Sequence, residues 1–233
     1  MPADRRSVGG GGISVGARCH TAPVRQNEVS DAAGPPLLAS LAGRRGSAAD
    51  WVRAALPRDR AVVELGDGGT RLRIDGRTAS VRPETLPLAD DAVDALLLSL
   101  VLPLLPRPDA LFTELRRVLR PAGTLVAVVP SGSVRSIAEL RAAGVRRALG
   151  GGWPNPAGLD HAGWLLTSAD FAVLRDDRAL FFLPLPDEAA ARAAPAVLGA
   201  AGLRPPGLVD AEVMTPLAGG SLPVALRRLV ARR

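Results

Sequence analysis

The chain has 233 residues, 47% of them hydrophobic, which is enough for one well-cored domain and does not demand two. Its formal charge of +6 rests on 29 basic residues, every one an arginine, against 23 acids. With the arginines dispersed, no tyrosine and only 3% aromatic residues, a nucleic-acid surface is disfavoured. The single cysteine, Cys19, excludes an internal disulfide or a cysteine-based metal knuckle, and no metal site is assigned.

Residues 1–46 are rich in Gly, Pro, Ser, Ala and Arg without sustained periodicity, and they read as a disordered arm with room for a short helix at 37–41. No apolar signal-peptide core is present at the N-terminus, so a cytoplasmic location is expected. The folded domain is expected over residues 47–233. Ser47 and Asp50 offer caps for a short helix bearing Trp51, Val52, Ala55 and Leu56, stopped by Pro57. An apolar strand at 61–65 then runs into the glycine-rich turn Gly66-Asp-Gly-Gly-Thr70. Residues 71–74 and 77–81 alternate around Asp75-Gly76, a favoured two-residue type I′ turn, and predict a hairpin. Only residues 71–85 separate the glycine turn from the next motif, whereas one βαβ unit takes roughly 30 residues.

Leu86-Pro-Leu-Ala-Asp-Asp-Ala-Val-Asp94 leads into a continuous apolar run, and 93–102 reads as a strand buried on both faces. That run is interrupted by Ser99 and Pro103 and is well short of the about 20 apolar residues that span a membrane. Residues 109–119 set Leu111, Phe112, Leu115, Val118 and Leu119 on one helical stripe. Arg120-Pro-Ala-Gly123 breaks the helix, and 124–129 supplies another buried strand, giving a right-handed parallel crossover. Beyond it, 136–149 is helical, 150–158 is a loop, 160–169 is a short helix, and 187–202 is a helix weakened by Pro195. Between them, 171–175 and 178–183 flank Asp176-Asp177 as a second hairpin. Residues 222–233 fit strand or helix, with an edge strand preferred.

Three segments in this order resemble the class I S-adenosylmethionine-dependent methyltransferases: Val62-Val-Glu-Leu-Gly-Asp-Gly68, residues 86–94, and Glu114-Leu-Arg-Arg-Val-Leu-Arg-Pro-Ala-Gly123 before the strand at 124–129. The resemblance is to the type 11 members and covers residues 48–131 best. It implies one α/β Rossmann-like domain with a mostly parallel sheet, here with a shortened first half and a C-terminal β-hairpin region. It also implies S-adenosylmethionine as cofactor. Glu64 would lie near the aminoacyl part, Gly66 and Gly68 would let the backbone approach, and the backbone near Leu86 would face the adenine. The family's third glycine falls on Thr70, whose β-branched side chain resists a left-handed turn. The acids that hold ribose and adenine have no clean counterpart, since Arg82 stands at the adenine position with Glu84 displaced beside it.

Two readings of the first glycine segment stay open: a cofactor turn, or a plain three-stranded meander in which the glycines serve only turns. Asp160-His161 could supply an acid–base pair, but a helix start is the simpler reading. Asp90, Asp91 and Asp94 read as solvated turn acids. No general base is identified, so the catalytic residues are unknown. The expected function is methyl transfer from S-adenosylmethionine to a small molecule. The alternative is a non-catalytic methyltransferase-like binding module or the inactive partner of another subunit. Partners are then a small-molecule substrate or a protein, with no membrane.

Overall fold

Apolar runs without alternation bury both faces of a strand and belong at the centre of a sheet that helices cover on each side. The computed structural model, which describes residues 37–149, 151–205, 207 and 210–233, has this layout. The described residues open with α1 (Leu37–Ser40), the short pair β1 (Ala42–Gly43) and β2 (Gly46–Ser47), and α2 (Ala48–Arg53). Next come β3 (Val62–Gly66), the hairpin β4 (Arg71–Ile74) and β5 (Arg77–Ser80), β6 (Val93–Ser99), α3 (Asp109–Val118) and β7 (Leu119–Pro130). After α4 (Ile137–Arg141), α5 (Ala143–Leu149) and α6 (Ala162–Ser168), the long strands β8 (Ala172–Leu185) and β9 (Gly220–Arg232) bracket α7 (Glu188–Ala200).

The nine strands among the described residues share one sheet in the order β2-β1-β8-β9-β7-β6-β3-β4-β5. Its core is parallel: β6 lies between β3 and β7 and runs with both, and α3 makes the crossover from β6 to β7. The remaining pairings are antiparallel, so the fold is α/β and Rossmann-like with its parallel character confined to the centre. Side-chain alternation sorts the core into two layers. Ala95, Leu97, Val126 and Val128 join Leu38, Val52, Phe181 and Leu198 on one face. Leu96, Leu98, Leu125 and Val129 meet Leu111, Phe112, Leu115 and Leu166 on the other.

The first hairpin forms as its turn chemistry dictates, with Asp75 at φ 47° and Gly76 at φ 73°. Three other expectations are corrected. No turn occurs at Asp176-Asp177, because β8 runs straight through and pairs along β9. The two acids are spent on cross-strand ion pairs instead: Asp176 takes Arg227, and Asp177 takes Arg228 at 2.8 Å. The C-terminal antiparallel pair is therefore β8 with β9. Nor is the last strand an edge, since β9 is bonded to β7 on one side and β8 on the other, with Leu226, Leu229 and Ala231 fully buried. Finally, residues 37–46 belong to the packed structure. Leu38 and Leu41 are fully buried, and β1 extends the sheet beside β8. The rest of the expected arm, residues 1–36, lies outside the described residues.

Leu41→Ala should therefore lose about 2–5 kcal/mol of stability, the cost of emptying a fully buried leucine site. Urea denaturation checks this; an unchanged midpoint would return the segment to the arm.

Candidate functional site

Where β3 leaves the sheet, three consecutive residues turn left-handed: Asp67 at φ 49°, Gly68 at 65° and Gly69 at 91°. Glycine takes such angles without a Cβ penalty. Thr70 is already back at φ −96°, and its hydroxyl donates to the Asp67 carbonyl at 2.7 Å. The β-branched residue is thus never asked for the left-handed turn that would have strained it.

This turn edges a cleft of about 410 Å³, walled by Glu64 and Gly66 of β3, Arg71 and Arg73 of β4, Leu37 of α1 and the end of α7. A neighbouring compartment of about 230 Å³ holds Gly68, Ser99, Leu100 and Leu104, and shares Asp67, Ala200 and Ala201 with the first. Gly66 has extended backbone, φ −132° and ψ −169°, which any residue adopts, and a Cβ added there would meet nothing within 4 Å. Neither conformation nor packing calls for glycine, and the missing side chain leaves the cleft open.

Ser99 ends β6 with 1% exposure, and its hydroxyl finds no hydrogen-bond partner among the described residues. An unmet buried polar group of this kind costs about 1–3 kcal/mol. Beside it, Leu100 is held at φ 59° while its N–H donates to the Val128 carbonyl. Glu64 is 4% exposed and stands opposite Arg73 in the β3–β4 register, their charged atoms 3.2 Å apart. Asp67 and Arg71 pair at 2.8 Å. The cleft therefore carries two acids already matched by two guanidinium groups from the hairpin.

Of the residues singled out in the sequence, Glu64, Gly66 and Gly68 come together at these compartments. Leu86 does not line them. Its N–H donates to Glu114 Oε2 at 2.8 Å and its carbonyl accepts from Arg117 Nη2 at 3.0 Å, so its backbone is spent on α3. Arg117 also grips both oxygens of Glu114, at 2.9 and 2.7 Å, and Asp90 at 2.7 Å. Arg120 takes Asp94 at 2.8 Å, and Asp91 pairs with Arg233. The turn acids are clasps between the loop, α3 and the C-terminus. The Arg117 hydrogen bonds, opposed by burial and aided by the Leu86 N–H, hold the Glu114 carboxyl below its ordinary value and raise Arg117.

Asp160 and His161 do not form a catalytic pair. Asp160 accepts from the Ser131 hydroxyl at 3.0 Å, and His161 occupies the cap position of α6 with no side-chain cap bond. Ser99 falls in the stretch 99–105 where the resemblance implies the acceptor site, whereas Arg71, Arg73 and the end of α7 escaped sequence reasoning. The small-residue run Gly199-Ala-Ala-Gly202, whose last glycine is an ordinary helix stop, marks where that helix ends and carries no signal of a cleft.

Residues 58–127 match the family described as a methyltransferase domain, a segment covering less than a third of the chain and containing the glycine turn, the clasp and α3. No curated protein matches the chain. Among solved structures, an S-adenosylmethionine-dependent methyltransferase from Aquifex aeolicus is 14% identical, with 67% of this chain and 54% of that one covered and a TM-score of 0.36. The cyclase SpnF is 20% identical, covering 66% and 54%, with a TM-score of 0.37. The YcgJ protein of Bacillus subtilis is 12% identical, covering 66% and 68%, at 0.38. The chain spans about half the length of the first two.

Because the Glu114 carboxyl is lowered by its partners, the stability it contributes is complete above the ordinary value of 4.5 and is lost as pH falls through the lower folded value. Glu114→Gln should lower the melting temperature at pH 7, and its gap to wild type should narrow progressively as pH falls below 4.5. Melting followed by circular dichroism across that range tests this, and an equal gap at both ends would deny the clasp its ionic character.

Proposed function

We propose that the methyltransferase segment at residues 58–127 seats S-adenosylmethionine in the two linked compartments and serves methyl transfer to a small molecule in the cytoplasm. The observation carrying this reading is Gly66, a glycine demanded by neither its backbone nor its neighbours, placed where a side chain would fill the cleft. The unmet Ser99 hydroxyl in the adjoining compartment is a second feature that a bound ligand would answer. Both are what a cofactor-holding site requires of its walls.

When bound, the cofactor supplies a methyl group on a cationic sulfonium. The chain's own residues do the rest. Gly66 and Gly68 admit ligand against the backbone, and Ser99 offers one hydroxyl. Glu64 presents its carboxylate alongside Arg73, and the end of α7 with Leu37 forms the facing wall. No side chain is assigned as a general base; transfer to an already basic acceptor needs only positioning. Among the described residues no helix is long and apolar enough to cross a membrane.

A second reading is a non-catalytic methyltransferase-like module or the inactive partner of another subunit. The hairpin favours it. An antiparallel β4–β5 stands where a ribose-holding strand is expected from the resemblance, and it brings arginines to the cleft's acids. A missing charge-assisted ribose contact forfeits about 1.5–3 kcal/mol, over tenfold in affinity.

Calorimetric titration of the full chain with S-adenosylmethionine decides between them. Saturable binding weaker than micromolar is expected, and Gly66→Val should abolish it with the melting temperature unchanged, because the new side chain points into open space. Absence of binding to the folded wild type would leave only the second reading. Unaltered affinity in Gly66→Val would place the ligand elsewhere.

A further inference from the structure

We infer that the cleft beside α5 is a separate binding site for a single-chain amphiphile with an anionic head, independent of the methyl-transfer reading. It measures about 490 Å³ and lies between the end of β7, the start of β9, the α4–α5 segment and the residues flanking the end of α7. That volume suits a small ligand. Its walls are apolar, with Leu149, Trp153, Leu198, Leu222 and Val224.

The charge in this cleft is one-sided. Arg146 and Arg147 line it, and among the described residues no Asp or Glu does, in contrast to the balanced pairs at the glycine turn. Behind the wall, fully buried Glu139 accepts through the same Oε1 from both Arg178 and Arg146, the latter at 3.2 Å. Among the described residues these two arginines share that one carboxylate as their ion-pair partner, and the next acid, Asp160, meets the layer through the Ser131 hydroxyl, to which Arg178 also donates. Arg147 has no side-chain hydrogen bond or ion pair with any described residue.

The polar layer also fixes the guanidinium. Arg146 Nη2 donates to the carbonyls of Ser131 at 3.0 Å and Gly132 at 3.4 Å, and Arg178 braces Ser131 and Ser133 from below. Burial opposes the charge on Glu139, but hydrogen bonds from Ser136, Arg178 and the Arg135 N–H outweigh it and hold the carboxyl below its ordinary value. Arg146 is therefore held in place before any ligand arrives, and Arg147 remains to fork onto a carboxylate. Apolar walls with an unanswered cation at one end recognise an alkyl or aryl chain that ends in an anion.

Trp153 lines the cleft and reports on it directly. The test titrates the full chain with decanoate, decanol and decylammonium, each below its critical micelle concentration, following tryptophan fluorescence. Decanoate should give a saturable one-to-one change that vanishes in Trp153→Phe, with decanol and decylammonium at least about tenfold weaker. Arg147→Gln should weaken decanoate about tenfold at an unchanged melting temperature, and Arg147→Lys should restore most of the affinity. The proposal is overturned by equal affinity for the three head groups, by Arg147→Gln binding as wild type, or by a signal that persists in Trp153→Phe. A response only to phosphatidylglycerol vesicles would overturn it equally, by assigning the surface to a membrane.

Discussion

When β4 pairs antiparallel to β3, it decides which side chains face the glycine turn, and the rest of the site follows from that pairing. Glu64 sits opposite Arg73 and Gly66 opposite Arg71, so the hairpin delivers a guanidinium group to each acid of the cleft. A parallel crossover would need a dozen or more residues of connection, and Arg71–Ser80 is instead consumed by two strands and a tight turn. The same pairing gives the parallel core an antiparallel flank. The cleft thus joins a left-handed glycine turn to the outer wall of a three-stranded meander.

The end of α7 partitions the upper face of the sheet into two chemically different spaces. Ala200 and Ala201 look onto the glycine turn, while Leu198 and Leu203 look onto the arginine-lined cleft. Gly202 makes this possible: at φ 74° it passes close to Leu100, where a Cβ would lie 3.3 Å from the leucine backbone oxygen and side chain. Leu100, itself left-handed at φ 59°, is therefore held from two sides. Strain of this kind costs about 1–3 kcal/mol and persists only where the surroundings enforce it. Here it sits next to the unmet hydroxyl of Ser99.

Arginine supplies every Lys/Arg cation in this chain, and the structure uses its planar fork to join elements far apart in sequence. Arg117 fastens the loop before β6 onto α3, Arg120 ties the start of β7 to Asp94 of β6, and Arg227 and Arg228 lock β9 to β8. Arg228 additionally lies 4.4 Å over the Trp51 ring and donates to the Trp51 carbonyl, tying α2 to the sheet. Exposed pairs alone contribute little. The half-buried clasps, which also meet backbone carbonyls, satisfy polar groups that would otherwise be stranded.

Features encoded within a few residues are legible in the amino-acid pattern alone. The Asp75-Gly76 turn needs two positive φ angles, which those residue types supply. The buried strands read at 93–102 and 124–129, which form as Val93–Ser99 and Leu119–Pro130, the stripe on α3 and the glycine turn all follow from side-chain period and backbone permissiveness. Only the tertiary structure decided what depends on a distant partner. Asp176-Asp177 reads as a turn until Arg227 and Arg228, 51 residues on, arrive to pair with it. Leu86 reads as a cofactor contact until Glu114 and Arg117 take its backbone. The core role of Leu38 and Leu41, the interior place of β9 and the isolation of the Ser99 hydroxyl are likewise properties of packing. Local pattern records which face is apolar and which angle is allowed, and it carries no information on which remote side chain will complete a charge or leave a hydroxyl unmet.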